Sequence, residues 1–141
     1  MRYLFIPALF LLASSASPQE PKKDLPPIAT VDLKRSSPVD YSKDVEPILV
    51  NKCLVCHSGS VVEGKFDMTN HAGVMKGGKR GVAVVAGKSG ESNMFLFCSR
   101  QKKPIMPPKS DDPLTPQELT LVKLWIDEGA KAPTMARLMT R

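Results

Sequence analysis

The chain has 141 residues, enough for one small domain but not two substantial ones. A formal net charge of +6 makes it basic, and with only 6% aromatic residues it lacks the interleaved aromatics of a nucleic-acid binder. Three cysteines leave one unpaired in any disulfide scheme, which excludes a disulfide-dense scaffold.

Residues 1–16 read as a secretory signal peptide. Met1-Arg2 opens it, an apolar run follows from Tyr3 to Ala13, and Ser14-Ser15-Ala16 offers a cleavage site after Ala16. The apolar run is about half of the roughly 20 residues a membrane-spanning helix needs, which favours cleavage over retention as an anchor. An exported, periplasmic or otherwise extracytoplasmic protein is therefore expected. Residues 17–39 carry Pro18, Pro21, Pro26, Pro27 and Pro38 among charged and small residues and read as an extended linker. The folded domain is expected over residues 40–132, with residues 133–141 as a tail. A core of that size commonly gains stability from a staple or a bound cofactor.

Tyr41, Val45, Ile48 and Leu49 recur at helical spacing and predict an amphipathic helix. Asp44 is its expected N-cap, which would put Pro47 within the first turn; an earlier start would require a kink. Next comes Cys53-Leu54-Val55-Cys56-His57, a Cys-x-x-Cys-His pattern. Two thiols at this spacing lie on one side of a helical turn and can each form a thioether to a haem vinyl group. The adjacent imidazole then faces the iron. Two alternatives stay open: a redox disulfide, and a zinc site completed by the distant Cys98.

His71 is the other histidine. Gly77-Gly78 and Gly81 read as turn residues, and Val82 to Ala86 as an extended apolar run too short for a sheet. Gly87-Lys88-Ser89 fails as a phosphate-binding loop because the upstream glycine falls one residue out of place. Ser89 to Gln101 holds Met94, Phe95, Leu96, Phe97 and Cys98 and predicts a short buried helix, with Cys98 a small core residue.

Of the seven methionines, Met106 stands apart in Lys103-Pro104-Ile105-Met106-Pro107-Pro108-Lys109. Flanking prolines stiffen that loop and keep it from forming helix, so its thioether sulfur can be held at an iron with little entropy loss. His71 is the runner-up ligand; Met68, Met75 and Met94 read as core fillers. Finally, Thr115-Pro116-Gln117-Glu118 predicts a capped helix with Leu119, Leu121, Val122, Trp125 and Ile126 on one face, ended by Gly129. This helix and the first are expected to pack together and close over the porphyrin, with Trp125 at their contact.

In register, these segments resemble a planctomycete-type cytochrome c domain. The resemblance is carried by residues 41–49, Cys53-x-x-Cys56-His57, Gly77-Gly78 with Gly81, Gly87-Lys88, Met106-Pro107-Pro108, residues 114–118 and residues 125–130. It implies an all-α class I cytochrome c-like globule wrapped around one covalent haem c. It further implies thioethers at Cys53 and Cys56, His57 as proximal iron ligand and Met106 as distal ligand.

The expected function is electron transfer, with redox partner proteins, acidic or membrane-bound, and neither nucleic acid nor a small-molecule substrate. The alternatives are a peroxidase-like or small-ligand-binding haem protein whose methionine dissociates, and a non-haem metal or disulfide module. Lys76, Lys79, Arg80, Lys88, Arg100, Lys102 and Lys103 face only Glu91 in their stretch, and Lys109 follows the methionine. That basic stretch reads equally as a steering surface for an acidic partner or as a solvated face.

Overall fold

Tyr41–Val45 forms a π-helical turn that runs straight into helix α1, Glu46–Lys52, in the computed structural model, which describes residues 25–133. The signal call, the start of the linker, and Met135 and Met139 lie outside the described residues. The helix starts earlier than Asp44: Asp40 caps it, its side chain accepting from the Lys43 N–H at 2.9 Å. Asp44 instead accepts from the Asp40 N–H at 2.9 Å and from Arg35 at 2.8 Å. Pro47 cannot donate, and the ladder accommodates it with a wider π turn, where the Glu46 N–H reaches back to Tyr41 O.

After the cysteine motif, β1 (His57–Ser58) and β2 (Val61–Val62) pair antiparallel, His57 opposite Val62 and Ser58 opposite Val61. Gly59, at φ +61°, supplies the left-handed turn residue that this tight connection needs. Helix α2, His71–Lys76, is capped by Asn70, which accepts from the Gly73 N–H at 2.9 Å. Helix α3 spans Asn93–Cys98 after a 3₁₀ turn at Ser89–Glu91. Buried Ser92 leaves α3 without a side-chain cap because its hydroxyl binds the preceding loop, accepting from the Val85 N–H and donating to Lys88 O at 2.9 Å each.

Helix α4, Pro116–Asp127, is the longest among the described residues, and its start is the predicted one. Thr115 and Glu118 form a complete capping box, with Pro116 in the first turn. Its end is a Schellman motif: Gly129, at φ +101°, donates to Ile126 O, and Ala130 donates to Trp125 O. Leu119, Val122, Trp125 and Ile126 are buried, and they pack with Tyr41, Val45 and Leu49 in the main core.

The all-α expectation is corrected by this architecture. Among the described residues the fold is a mixed small one, four short helices with a two-stranded antiparallel sheet. The reason is local: β-branched Val61 and Val62 follow a Gly-Ser turn, and the prolines around Met106 leave residues 99–115 without a helix.

The proline-rich stretch lies extended over residues 25–39 and is tied to the domain by three of its own main-chain N–H groups, besides the Arg100-to-Pro26 and Arg35-to-Asp44 contacts. The Ile28 N–H donates to Ser99 O at 3.0 Å, the Val31 N–H to Thr120 Oγ1 at 2.9 Å, and the Val39 N–H to Glu128 Oε2 at 2.7 Å.

Candidate haem site

Helix α1 ends where the cysteine motif begins. The N–H groups of Cys53 and Leu54 both donate to Leu49 O, and those of Cys56 and His57 both donate back to Cys53 O. This tight turn puts Cys53, Cys56 and His57 on the wall of one cavity of about 440 Å³, within the usual size of a ligand pocket. Met106 lines the same cavity, half-buried, its N–H donating to Phe97 O at 3.1 Å. The peptide bonds before Pro104 and Pro107 are both cis. All four residues singled out in the sequence are thus brought to one space.

His57 carries the most informative contact. Its Nδ1 lies 3.0 Å from the Phe66 carbonyl oxygen. A carbonyl only accepts, so Nδ1 must carry the proton and Nε2 is left bare. That is the tautomer a metal-binding imidazole needs, held by an outer partner. Phe66 is itself fixed from behind: a Cβ on Gly78 would fall 2.7 Å from Phe66 Cβ and 2.8 Å from Gly64 O. The glycine at 78 therefore allows the turn to press against the strand of chain that orients His57.

Phe66, Met68, Ala83, Met94 and Phe97 supply an apolar lining. Cys53, Cys56 and Cys98 are all free thiols. Burial, then the neighbouring Cys56 and then Glu118 push the Cys53 thiol up to about 12. A reactive Cys-x-x-Cys pair of the oxidoreductase kind has the opposite tendency, a depressed thiol, so the redox-disulfide reading loses support. The zinc reading loses it too: among the described residues no three His, Cys, Asp or Glu side chains are grouped to hold a metal ion.

Several placements were not anticipated. Cys98 is buried and lines the cavity, its thiol pushed up by burial and by Cys53. Met68 and Met94, read as core fillers, are buried in the core and also reach the cavity wall. His71 is elsewhere: its Nε2 donates to Ala130 O at 2.8 Å, and its ring meets Tyr41 and Trp125 edge-on at 5.1 and 5.9 Å. Trp125 does lie at the contact between the first helical segment and α4, 5.4 Å from Tyr41, with its indole N–H donating to Lys131 O. No residue of α4 lines the cavity, so that helix braces the wall from behind and does not close over the space.

Two thiols, one bare imidazole nitrogen and a thioether around an apolar pocket make up the donor set of a haem c site, and the residues fit that group. That donor set is the one a haem-binding domain of the c type would use. Residues 53–110 match the family model described as Planctomycete cytochrome C, a span that opens on Cys53 and runs past Met106. That match supports a planctomycete-type cytochrome c domain over residues 53–110. No curated protein and no solved structure gives a significant match.

Proposed function

We propose that this protein is an exported monohaem c-type cytochrome that carries single electrons between partner proteins. Cys53 and Cys56 would hold the haem by thioethers, and His57 Nε2 and the Met106 sulfur would ligate its iron. When bound, haem c supplies a one-electron ferric–ferrous couple. The observation that carries the reading is the His57 Nδ1 contact to Phe66 O, since it gives the imidazole a fixed tautomer with no evident use except ligation.

The chain's own residues then do three things. Cys53 and Cys56 prevent the cofactor from leaving. Phe66, Met68, Met94 and Phe97 exclude water, which disfavours the more highly charged ferric state, and a methionine ligand acts in the same direction. At the surface, Val55 is 76% exposed between the two cysteines, an apolar point beside the site. With Lys52 three positions before it in the chain and Lys102 beside the cavity-lining Asn93 and Phe97, it supports docking of an acidic redox partner. The export reading rests on the pattern of residues 1–16.

A carrier with both axial positions filled excludes added ligands, whereas a peroxidase-like protein admits them. The test is carbon monoxide binding to the reduced protein and cyanide binding to the oxidised protein. Resistance to both is expected; rapid binding of either at neutral pH would overturn the carrier reading.

A further inference from the structure

The turn from Gly78 to Gly81 carries two charges that the ligand set does not use. The Gly78 N–H donates to Gly81 O at 3.1 Å and the Gly81 N–H to Gly78 O at 2.9 Å, which leaves Lys79 and Arg80 at the tip. The turn is pinned in place: the Lys79 N–H donates to Gly64 O at 2.7 Å, and Gly78 lies against Phe66. Both side chains line the cavity, both are exposed, and neither makes a side-chain hydrogen bond or ion pair with a described residue.

The remaining charged or titratable side chains of the lining are Lys52, Glu63, Asp111, His57 and the thiols of Cys53, Cys56 and Cys98. Lys102 stands close by, donating to Asn93 Oδ1 at 2.8 Å with its ammonium 5.7 Å from the centre of the Phe97 ring. Lys52 directly precedes Cys53 and shares an adjoining cleft with Asp111, so those two opposite charges lie together at the thioether end. Glu63 neighbours Gly64 and offsets at most one of the two charges on the turn. Lys79 and Arg80 are therefore an unpaired cationic pair on a rigid support, facing an apolar pocket.

Haem has its vinyl groups on one edge and two propionate carboxylates on the opposite edge. Thioethers at Cys53 and Cys56 tether the vinyl edge, so the carboxylates must meet another part of the lining. We propose that Lys79 and Arg80 bind the two haem propionates. Lysine acts as a point charge and arginine as a planar fork for a carboxylate. This inference rests on the haem reading above and adds to it the residues that hold the polar edge of the cofactor.

The test is a redox titration of haem-loaded protein carrying K79Q and R80Q together, from about pH 5 to about pH 8, across the range into which unpaired carboxylates titrate. Loss of the two cations leaves the propionate charge uncompensated and favours ferric iron. The equilibrium constant for reduction should fall by at least about threefold, roughly 30 mV for one electron. The potential should also vary more steeply at the acid end, and the propionate bending mode in the resonance Raman spectrum should shift. R80K alone should keep near-native values, and K76Q, a cation outside the lining, should change neither. If the double variant does not accumulate, R80Q is read in the same way. Covalent haem with native potential, pH profile and Raman mode in the variant overturns the propionate assignment alone. Wild-type protein without covalent haem overturns the haem reading with it.

Discussion

His57 and Phe66 are joined by a 3.0 Å hydrogen bond from an imidazole N–H to a backbone carbonyl, and their rings meet at 5.4 Å. The bond sets which ring nitrogen is free, and the ring contact limits how the imidazole can rotate. Behind Phe66 the Gly78 backbone leaves no room for a side chain. Orientation of the imidazole thus depends on a glycine 21 positions away in sequence from the histidine it supports.

Gly78→Ala should therefore be costly. Its Cβ would meet backbone and Cβ atoms of Gly64 and Phe66 that cannot swing aside. Overpacking of this kind costs about 1–3 kcal/mol. Gly90→Ala, where a Cβ meets open space, should stay within about 0.5 kcal/mol of the parent. Urea unfolding of the two variants checks this, and equal midpoints would refute the packing argument.

Met106→Ala should leave covalent haem in place and remove the methionine-to-iron charge-transfer absorption of the oxidised protein. Met94→Ala should keep that absorption and lose stability by about 2–5 kcal/mol, because Met94 is buried in the core. His71→Ala should keep it as well, since His71 is engaged with Ala130, Tyr41 and Trp125. Loss of the band in Met94→Ala, with Met106→Ala unaffected, would transfer the distal role to α3.

Asp127 offers a pH test of how α4 is anchored. Its carboxylate accepts from the Ser89 N–H at 2.9 Å and from Lys123 Nζ at 2.6 Å. Burial tends to raise its pKa, but the hydrogen bonds from Lys123 and Ser89 outweigh that and hold it below the ordinary 3.8. A depressed folded-state pKa gives stability that is present above 3.8 and lost as the pH falls through the lower folded value. Asp127→Ala should cost about 1–3 kcal/mol at neutral pH, chiefly by orphaning the Ser89 N–H. The gap between variant and parent should narrow as acid is added. A gap independent of pH would show that the carboxylate charge contributes nothing.

What the sequence made legible was local. Thr115, Pro116 and Glu118 specify a helix start from four consecutive residues, and Gly129 marks its end through a backbone angle that few other residues adopt readily. The cysteine motif and the proline-flanked methionine also stood out at short spacings, and the fold brings both to one cavity. The hairpin after His57 was missed because two-residue strands have too little periodicity to register. The π turn was missed because the helical spacing of Tyr41, Val45 and Ile48 looks the same with or without a register change.

The supporting contacts were beyond reach for a different reason. The acceptor for His57 is a main-chain carbonyl, which every residue possesses, so nothing about Phe66 announces the role. Cys98 reaches the cavity because α3 and the cysteine turn come together in space, over 45 positions of sequence that carry no common pattern. The porphyrin-closing role expected of α4 failed on the same ground: its apolar face was visible, but not which neighbour it would cover.

The central claim is tested most directly by a pyridine haemochrome measurement on denatured wild-type protein produced together with c-type haem maturation machinery. One haem per chain that stays with the polypeptide on denaturation, with the spectrum of a haem thioether-linked at both vinyl positions, is the expected result. A chain that remains free of haem, or that releases it into the organic phase, would contradict the assignment of Cys53, Cys56 and His57.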